Sequence, residues 1–299
     1  MAGSVEKLKM SDELDYLSLY EEEFDDDDYK PIKPPFAWAG GKTRSREKLL
    51  QLLPYERIYV EPFGGSGAVL LSRRPVQTEV FNDRFSGIVD FYKCVKDPDL
   101  LERLIEKLEF TTYSREEWLD AHDSWRRQVD IVDRAALWYT MLEYSFSNMG
   151  RNFGRTVLSK SKLAGKLRNK LEFFPRIHER IKNVLLENCG WEMFFRDYNS
   201  VETVIYCDPP YLDTDQSMYK GSTWTLEDQA KLLKAIFNHD GFVALSGYAH
   251  PINDAMPWDA VHSWDVRVSV KGQHHKEEQS SKRQSAKEVL YIKEAYVDG

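Results

Sequence analysis

A short apolar segment that runs directly into a glycine-rich turn most constrains how this chain can fold. Residues 57–61 (RIYVE) have the β-branched and aromatic character of a buried strand, and Gly64, Gly65 and Gly67 follow closely. Glycines at the end of a buried strand let the backbone turn sharply and approach a ligand. A helix beginning at about residue 68 is the expected continuation.

The alternation of strands and helices continues along the chain. A second short strand is predicted at 79–82 (EVFN), and apolar residues have helical spacing at 88–95 and 100–108. The later part predicts a helix at 226–237 and strands at 184–187, 203–207, 242–246, around 266–270 and at 288–292. Strands that alternate with helices predict an α/β fold with a parallel, doubly wound sheet.

The segment at 96–184 interrupts this pattern because it is mainly helical. Trp118, Trp125 and Trp138 lie on apolar helix faces there. We therefore expect one α/β domain built from 31–95 and 185–299, with the helical segment inserted between the two halves of its sheet.

Charge is distributed unevenly along the chain. Ten carboxylates between Asp12 and Asp28 crowd the N-terminus, which predicts a mostly disordered acidic tail at 1–30. Without these ten the formal net charge of -8 becomes about +2. The stretch 151–182 instead holds ten bases against two acids, a pattern typical of a phosphate-binding surface, although a solvated helix face is the alternative.

The glycine turn and Asp83 together indicate a nucleotide-like ligand. Asp83 ends the second predicted strand, about 20 residues after the glycines. A carboxylate at that point can accept hydrogen bonds from both ribose hydroxyls of an adenosine-containing cofactor.

A second constellation is Asp208-Pro209-Pro210-Tyr211, at the carboxyl end of the strand predicted at 203–207. Open α/β sheets place their ligands at such strand ends. The amino group of a nucleobase is a poor nucleophile, so a carboxylate and a rigid backbone carbonyl that accept its two N–H bonds can direct its lone pair toward an electrophile. Asp208 and the carbonyl of Pro209 suit this task, and Tyr211 offers a ring for an extruded base.

Four motifs in this order resemble the Dam-type, D12 class adenine-N6 DNA methyltransferases of the α arrangement, particularly their phage and prophage branch. They are AWAGGK (37–42), EPFGGSG (61–67), FND (81–83) and DPPY (208–211). The resemblance extends over about 34–295 and includes SFSNMGRNFG, LSGY and EVLYI. It implies a Rossmann-like S-adenosylmethionine-dependent methyltransferase sheet with a helical target-recognition insertion.

The resemblance also implies roles for individual residues. S-adenosyl-L-methionine is the expected cofactor, DNA is the expected partner, and the target adenine would be held by Asp208, Pro209, Pro210 and Tyr211. The expected cofactor-binding residues are Trp38, Gly40, Gly41, Lys42, Glu61, Pro62, Phe63, Gly64, Gly65, Gly67 and Asp83. The expected DNA-binding residues, in the basic stretch, are Arg151, Asn152, Arg155, Lys160, Lys162, Lys166 and Arg168.

One position departs from the family pattern. Relatives often carry an aspartate 18 residues before the DPPY aspartate, where this chain has Gly190. This departure puts recognition of the cofactor's adenine amino group in doubt, and it leaves a catalytically inactive DNA-binding relative as one alternative. Cytosine-N4 methylation is another, because a cytosine amino group poses the same chemical problem.

Other classes of function have less support. Gly40-Gly41-Lys42-Thr43 resembles the end of a phosphate-binding loop, but Phe36 stands where that loop needs a glycine. The histidines and the three cysteines lack ligand spacing, so we expect no metal site and no disulfide. Without an apolar span or a secretion signal, a cytoplasmic, non-membrane protein is expected, while monomer and dimer both stay open.

Overall fold

A computed structural model describes residues 29–38, 40–148, 150–154, 162–212, 214, 223–267 and 285–296. The chain divides into two units, Met1–Pro31 and Ile32–Gly299. The predicted acidic tail at 1–30 lies outside the described residues except for Tyr29 and Lys30. The architecture below is that of the second unit.

A seven-stranded sheet forms the centre of this unit, in the order β3-β2-β1-β4-β5-β7-β6. The strands are β1 Ile58–Glu61, β2 Thr78–Asn82, β3 Leu185–Glu187, β4 Thr203–Cys207, β5 Phe242–Tyr248, β6 Ala260–Arg267 and β7 Ser285–Lys293. The first five strands are parallel, which confirms the predicted doubly wound core.

The last two strands correct the expectation of an all-parallel sheet. β7 pairs antiparallel with both β5 and β6. β6 and β7 follow one another in the chain and pair directly, and consecutive strands that pair directly need no crossover helix when they run antiparallel. The strand predicted around 266–270 is the end of β6, and its residues after Arg267 lie outside the described ones.

Ten α-helices surround the sheet in the part of the chain that the structure describes. They are α1 Arg46–Leu52, α2 Ser86–Lys96, α3 Pro98–Glu109, α4 Arg115–Ser124, α5 Ile131–Glu143, α6 Lys162–Leu171, α7 Phe174–Ile181, α8 Glu192–Asp197, α9 Leu226–Phe237 and α10 Pro251–Asp254. Asp97, Ser114, Asp130 and Thr225 cap α3, α4, α5 and α9 through side-chain oxygens. No described helix has the length and apolar character needed to cross a membrane.

The prediction of a helix from about residue 68 is wrong. The glycine turn leads only into a short 3-10 turn, Leu70–Ser72, and Arg73 is already extended with ψ 149°. Pro75 restricts the residue before it to extended conformations, so the chain cannot continue as a helix and enters β2 within a few residues.

The helical segment between β2 and β3 has a core rich in aromatic rings. Phe91 of α2 stacks on Tyr139 of α5 at a centroid distance of 4.9 Å, and Phe174 of α7 packs edge-on against Phe91 at 5.5 Å. Trp138 is fully buried and meets Phe36 at 5.0 Å. These rings belong to the same hydrophobic cluster as Tyr59 of β1, so this segment packs directly on the sheet.

The strand register brings three loops to one edge of the sheet. Val60 of β1 pairs with Val80 of β2 and with Ile205 of β4, all in parallel. The carboxyl ends of these strands therefore lie side by side, and they carry the glycine turn, Asp83 and Asp208.

Candidate active site

A cavity of about 370 Å³ opens at the carboxyl edge of β1, β2 and β4. The glycine turn and Asp208 both line it, so two motifs that are far apart in the chain share one space. Eleven of the predicted cofactor and catalytic residues line this cavity: Trp38, Gly41, Lys42, Glu61, Pro62, Phe63, Gly64, Gly65, Asp83, Asp208 and Pro210.

The glycine turn is shaped by a close approach to β2. A Cβ atom on Gly64 would lie 2.2 Å from Cε2 of Phe81, so only glycine fits there. Gly65 has φ +53°, a backbone conformation that favours glycine, and a Cβ on it would lie 3.1 Å from the ring of Trp38. The turn therefore presents bare backbone to the cavity.

Asn82, the last residue of β2, ties three segments together. Its amide nitrogen donates to the Pro62 carbonyl at 2.8 Å and to the Cys189 carbonyl at 3.3 Å. Its amide oxygen accepts from the Cys189 backbone N–H at 2.9 Å. The carboxyl ends of β1, β2 and β3 are thus held in a defined relation around the cavity.

Asp83 binds the backbone of the glycine turn. One carboxylate oxygen accepts from the Gly65 N–H at 2.8 Å and the other accepts from the Phe85 N–H at 2.7 Å. Burial raises the pKa of Asp83 to about 6, although both N–H groups act in the opposite direction. Each carboxylate oxygen has two lone pairs, so both can accept a further hydrogen bond from a ligand.

Asp208 is paired with a buried lysine. Lys42 Nζ lies 2.6 Å from both carboxylate oxygens of Asp208 and 3.4 Å from Oε1 of Glu288. Lys42 also donates to the Gly40 carbonyl at 2.8 Å, which holds its ammonium group in place. Only 5% of the Lys42 side chain and 18% of the Asp208 side chain are exposed, so water screens this pair weakly.

Tyr211 connects Asp208 to Glu288. Its hydroxyl lies 3.0 Å from Oδ1 of Asp208 and 2.5 Å from Oε1 of Glu288. Its ring meets that of Tyr248 edge to face at 4.8 Å, and Lys42 Nζ lies 5.1 Å from the ring centroid. Glu288 reaches this point because β7 pairs antiparallel with β5, opposite Tyr248.

The charges around Asp208 act on its pKa in opposite directions. Burial raises the pKa of Asp208 to about 6; Lys42 lowers it and Glu288 raises it. Burial by itself would lower the pKa of Lys42, but attraction to Asp208 and Glu288 outweighs burial and leaves that pKa raised. Lys42 therefore stays charged, and Asp208 is ionised near neutral pH.

Four predicted residues do not line the cavity. Gly40 and Gly67 hold the two glycine turns with φ +74° and +64°, respectively, and Pro209 is buried. The Tyr211 hydroxyl lies 3.0 Å from Oδ1 of Asp208, and its ring packs against Tyr248. Stacking of a base on Tyr211 stays a prediction.

Several residues that line the cavity or contact Asp208 belong to no motif that marks them in the sequence. Glu288 lies in the noted EVLYI segment, but its role depends on a strand pairing that local pattern does not reveal. Trp191 and Trp224, from loops before α8 and α9, line the far side of the cavity with Glu192. Trp191 follows the strand predicted at 184–187 and Trp224 precedes the helix predicted at 226–237, and these positions were the only signal in the sequence.

The predicted DNA-binding residues divide into three groups. Arg151, Asn152 and Arg168 are exposed. Lys162 and Lys166 belong to α6, although their side chains lie outside the described structure. Arg155 and Lys160 lie outside the described residues altogether.

Fewer of the ten basic side chains at 151–182 are available for phosphate contacts than the sequence suggests. Arg180 is buried and binds both oxygens of Glu79 at 2.6 and 2.7 Å. Lys170 donates to Glu143 at 2.6 Å and to the Pro35 carbonyl at 2.9 Å. These cations balance internal groups of the fold, so they do not belong to a phosphate-binding surface.

Comparison with known proteins shows the family to which the chain belongs. The chain is 30% identical over 205 residues to a DNA adenine methylase of Vibrio cholerae, covering 65% of this chain and 72% of that relative. It is 27% identical over 214 residues to a DNA N-6-adenine-methyltransferase of Escherichia phage P1, covering 67% of this chain and 27% of that relative. A family model described as D12 class N6 adenine-specific DNA methyltransferase matches residues 38–270. The chain therefore belongs to the D12 class of N6 adenine-specific DNA methyltransferases.

Proposed function

We propose that this protein transfers a methyl group from S-adenosyl-L-methionine to N6 of an adenine that is flipped out of DNA. One observation carries the proposal: Asp208 and the Gly64–Gly65 turn line the same cavity. A methyl donor on the glycine turn would face an amino group held by Asp208, as a direct transfer between two bound reactants requires.

The residues of the glycine turn fit the cofactor. The bare backbone at Gly64 and Gly65 allows a ligand to approach closely, and Asp83 has lone pairs left for ribose hydroxyls. When bound, S-adenosyl-L-methionine supplies a methyl group on a positively charged sulfur. Trp38, Gly41, Phe63 and Asp83 would hold it.

Asp208 performs the chemical task at the other end of the cavity. Its carboxylate would accept one N–H of the adenine amino group. The carbonyl of Pro209, which stands between the cavity-lining Asp208 and Pro210, would accept the other and so direct the nitrogen lone pair toward the methyl group. Lys42 holds the carboxylate in one orientation through both of its oxygens. A base within a duplex cannot reach this cavity, so the target adenine must leave the helix.

The helical segment at 96–184 is our candidate for the target-recognition domain. Arg151 and Asn152 are exposed on a loop closed by a hydrogen bond from the Phe146 N–H to the Asn152 carbonyl. Arg168 is exposed on α6. Exposed bases on one segment are the electrostatic feature through which proteins contact DNA phosphates.

Asp208→Ala tests the catalytic assignment. We expect transfer of radiolabel from S-adenosylmethionine to DNA to be lost, while binding of the cofactor product S-adenosylhomocysteine changes less than about threefold, because Asp208 binds the base. Asp208→Asn retains the shape of the side chain and should also be inactive. Asp120→Ala, an exposed aspartate on α4, is the matched control. Equal loss of product binding and transfer would overturn the assignment.

Nucleoside mass spectrometry of methylated DNA identifies the modified base. N6-methyladenine is the expected product. N4-methylcytosine would replace the proposed target by the cytosine amino group, and an unmodified substrate despite bound cofactor would indicate a DNA-binding protein without transfer activity.

The salt dependence of DNA binding tests the helical segment. Arg168→Ala and Arg151→Ala should each lower the slope of log affinity against log salt by about one if the side chain contacts a phosphate. Arg103→Ala on α3 provides the control, because Arg103 is paired with Asp130 at 2.8 Å. Unchanged slopes in both test variants would reject this surface.

A further inference from the structure

The far side of the cavity, next to β3, holds groups that the proposed reaction has not used. The sheet order is β3-β2-β1-β4, so the end of β3 lies three strand spacings, roughly 14 Å, from Asp208 at the end of β4. Asp83 stands between them at the end of β2. If Asp83 binds the ribose and Asp208 faces the reacting methyl, the base of the cofactor extends toward β3.

Three aromatic rings line that side. Phe63 follows β1, Trp191 precedes α8 and Trp224 precedes α9. The centroid of Phe63 lies 5.4 Å from that of Trp224 and 6.4 Å from that of Trp191, while the two tryptophan centroids are 6.4 Å apart. Such a group of rings offers apolar surface to a flat heterocycle.

A carboxylate lies in the same region. Glu192 lines the cavity with an exposed side chain, and no hydrogen bond or ion pair to another described residue commits its carboxylate. The nearby Asp228 caps α9, and its Oδ2 accepts from both the backbone N–H and the hydroxyl of Thr225, which fixes the orientation of this carboxylate. Glu192 has no such role in capping a helix, so both of its carboxylate oxygens have acceptor capacity for a ligand.

Gly190 explains how Glu192 reaches the cavity. A Cβ atom on Gly190 would lie 2.6 Å from Oε2 of Glu192. The Glu192 carboxylate thus occupies the space that a side chain at position 190 would fill. Relatives often carry an aspartate at position 190. In this chain Glu192, two residues later, would bring a carboxylate to the same place.

We propose that Glu192 accepts a hydrogen bond from the exocyclic amino group of the cofactor's adenine, in a slot lined by Phe63, Trp191 and Trp224. The inference rests on the proposed use of S-adenosyl-L-methionine and adds its base-recognition residue. An ionised carboxylate only accepts hydrogen bonds, so it favours a 6-amino purine over a 6-oxo purine, whose oxygen is itself an acceptor. Glu192 thereby supplies the recognition that Gly190 cannot.

Calorimetry with the full chain and two ligands tests this preference for a 6-amino purine. S-adenosylhomocysteine has the 6-amino group, and S-inosylhomocysteine has a 6-oxo group in its place. The wild-type protein should prefer the former. Glu192→Ala should weaken S-adenosylhomocysteine roughly tenfold, the effect of losing a hydrogen bond to a charged acceptor, and should bring the two affinities to within about twofold. Glu187→Gln at the end of β3 should change neither.

A rescue variant separates recognition from packing. Gly190→Asp introduced together with Glu192→Ala returns a carboxylate to the same space, and it should restore most of the affinity and the preference for the 6-amino ligand. Equal weakening of both ligands by Glu192→Ala, or no weakening at all, would overturn the inference while leaving the proposed function intact. Failure of the wild-type protein to bind either ligand would instead overturn the proposed function and this inference with it.

Discussion

Asp83 and Asp208 share the same ionisation behaviour but are held by different parts of the molecule. Both lie in the cavity, and burial raises the pKa of each carboxyl to about 6. Asp83 binds backbone N–H groups from its own turn and from the glycine turn. Asp208 binds the side chains of Lys42 and Tyr211, with Glu288 close by. The Asp83 end of the cavity therefore depends on backbone geometry, whereas the Asp208 end depends on side-chain charges that single substitutions can change.

Asp83→Ala should have the largest effect on ligand binding. It removes the proposed ribose acceptor, so affinity for S-adenosylhomocysteine should fall by about a hundredfold or more. It also leaves the N–H groups of Gly65 and Phe85 without their acceptor, and the free energy of unfolding should fall by about 1–3 kcal/mol. Calorimetry and denaturant unfolding measure the two effects. Unchanged affinity would show that Asp83 does not bind the ribose of the cofactor.

Gly64→Ala tests whether backbone geometry defines the Asp83 end. The new methyl group would meet Phe81 at 2.2 Å, and overpacking of this kind costs about 1–3 kcal/mol of unfolding free energy. Gly247→Ala is the matched control, because its Cβ would lie 3.7 Å from the nearest atom, Nδ2 of Asn253. Thermal or denaturant unfolding compares the two variants. Equal stability of both would contradict the close approach of the glycine turn to β2.

The pH dependence of transfer tests the Asp208 end. Asp208 must be ionised to accept an amino N–H, so activity should be present above a pH of about 6 and should be lost as the pH falls through the pKa of Asp208. Lys42→Met removes a charge that lowers this pKa, so the acid limb should move to higher pH by about one unit. Glu288→Gln removes a charge that raises it, so the limb should move to lower pH.

Single-turnover rates measured across pH with saturating cofactor separate this effect from binding. The pH dependence of S-adenosylhomocysteine binding, which we attribute to Asp83, should stay the same in both variants. Movement of the acid limb in the same direction in both would show that the pKa of Asp208 is not controlled by these two side chains.

Tyr211→Phe should have the smallest effect. The variant keeps the aromatic ring on which the predicted stacking depends, but the hydroxyl that joins Asp208 and Glu288 is lost. One hydrogen bond of this kind contributes about 1 kcal/mol, so transfer should slow roughly fivefold with S-adenosylhomocysteine binding unchanged. Tyr211→Ala removes the ring as well and should be far slower. Equal rates for the two variants would argue against stacking on Tyr211.

Much of the site could be predicted because it is local in the chain. The glycine turn, Asp83 and Asp208 each end a buried strand, and parallel strands place their carboxyl ends at one edge of a sheet. Their meeting in one cavity follows from that rule. The helix expected after the turn is absent, because the chain becomes extended at Arg73, shortly before Pro75. The apolar residues that follow the glycines predicted a helix, but their pattern does not show where that helix would have to end.

The contacts that tune the site were not predictable in this way. Lys42 and Asp208 are 166 positions apart, and Glu288 joins them only through the antiparallel pairing of β7 with β5. Similarly, Arg180 counts as one of ten bases in the sequence, yet the fold buries it against Glu79. Charge in a sequence does not reveal which ions face solvent, because that depends on which elements pack together.

The sequence by itself determined the parallel α/β core, the order of the motifs and the carboxylates at the strand ends. These features follow from periodicity and glycine or proline chemistry within short segments. Only the tertiary structure decided that Lys42 and Glu288 surround Asp208 and that Glu192 lies in the space left by Gly190. Such contacts join side chains from different elements, and their distances are set by the packing of the whole sheet.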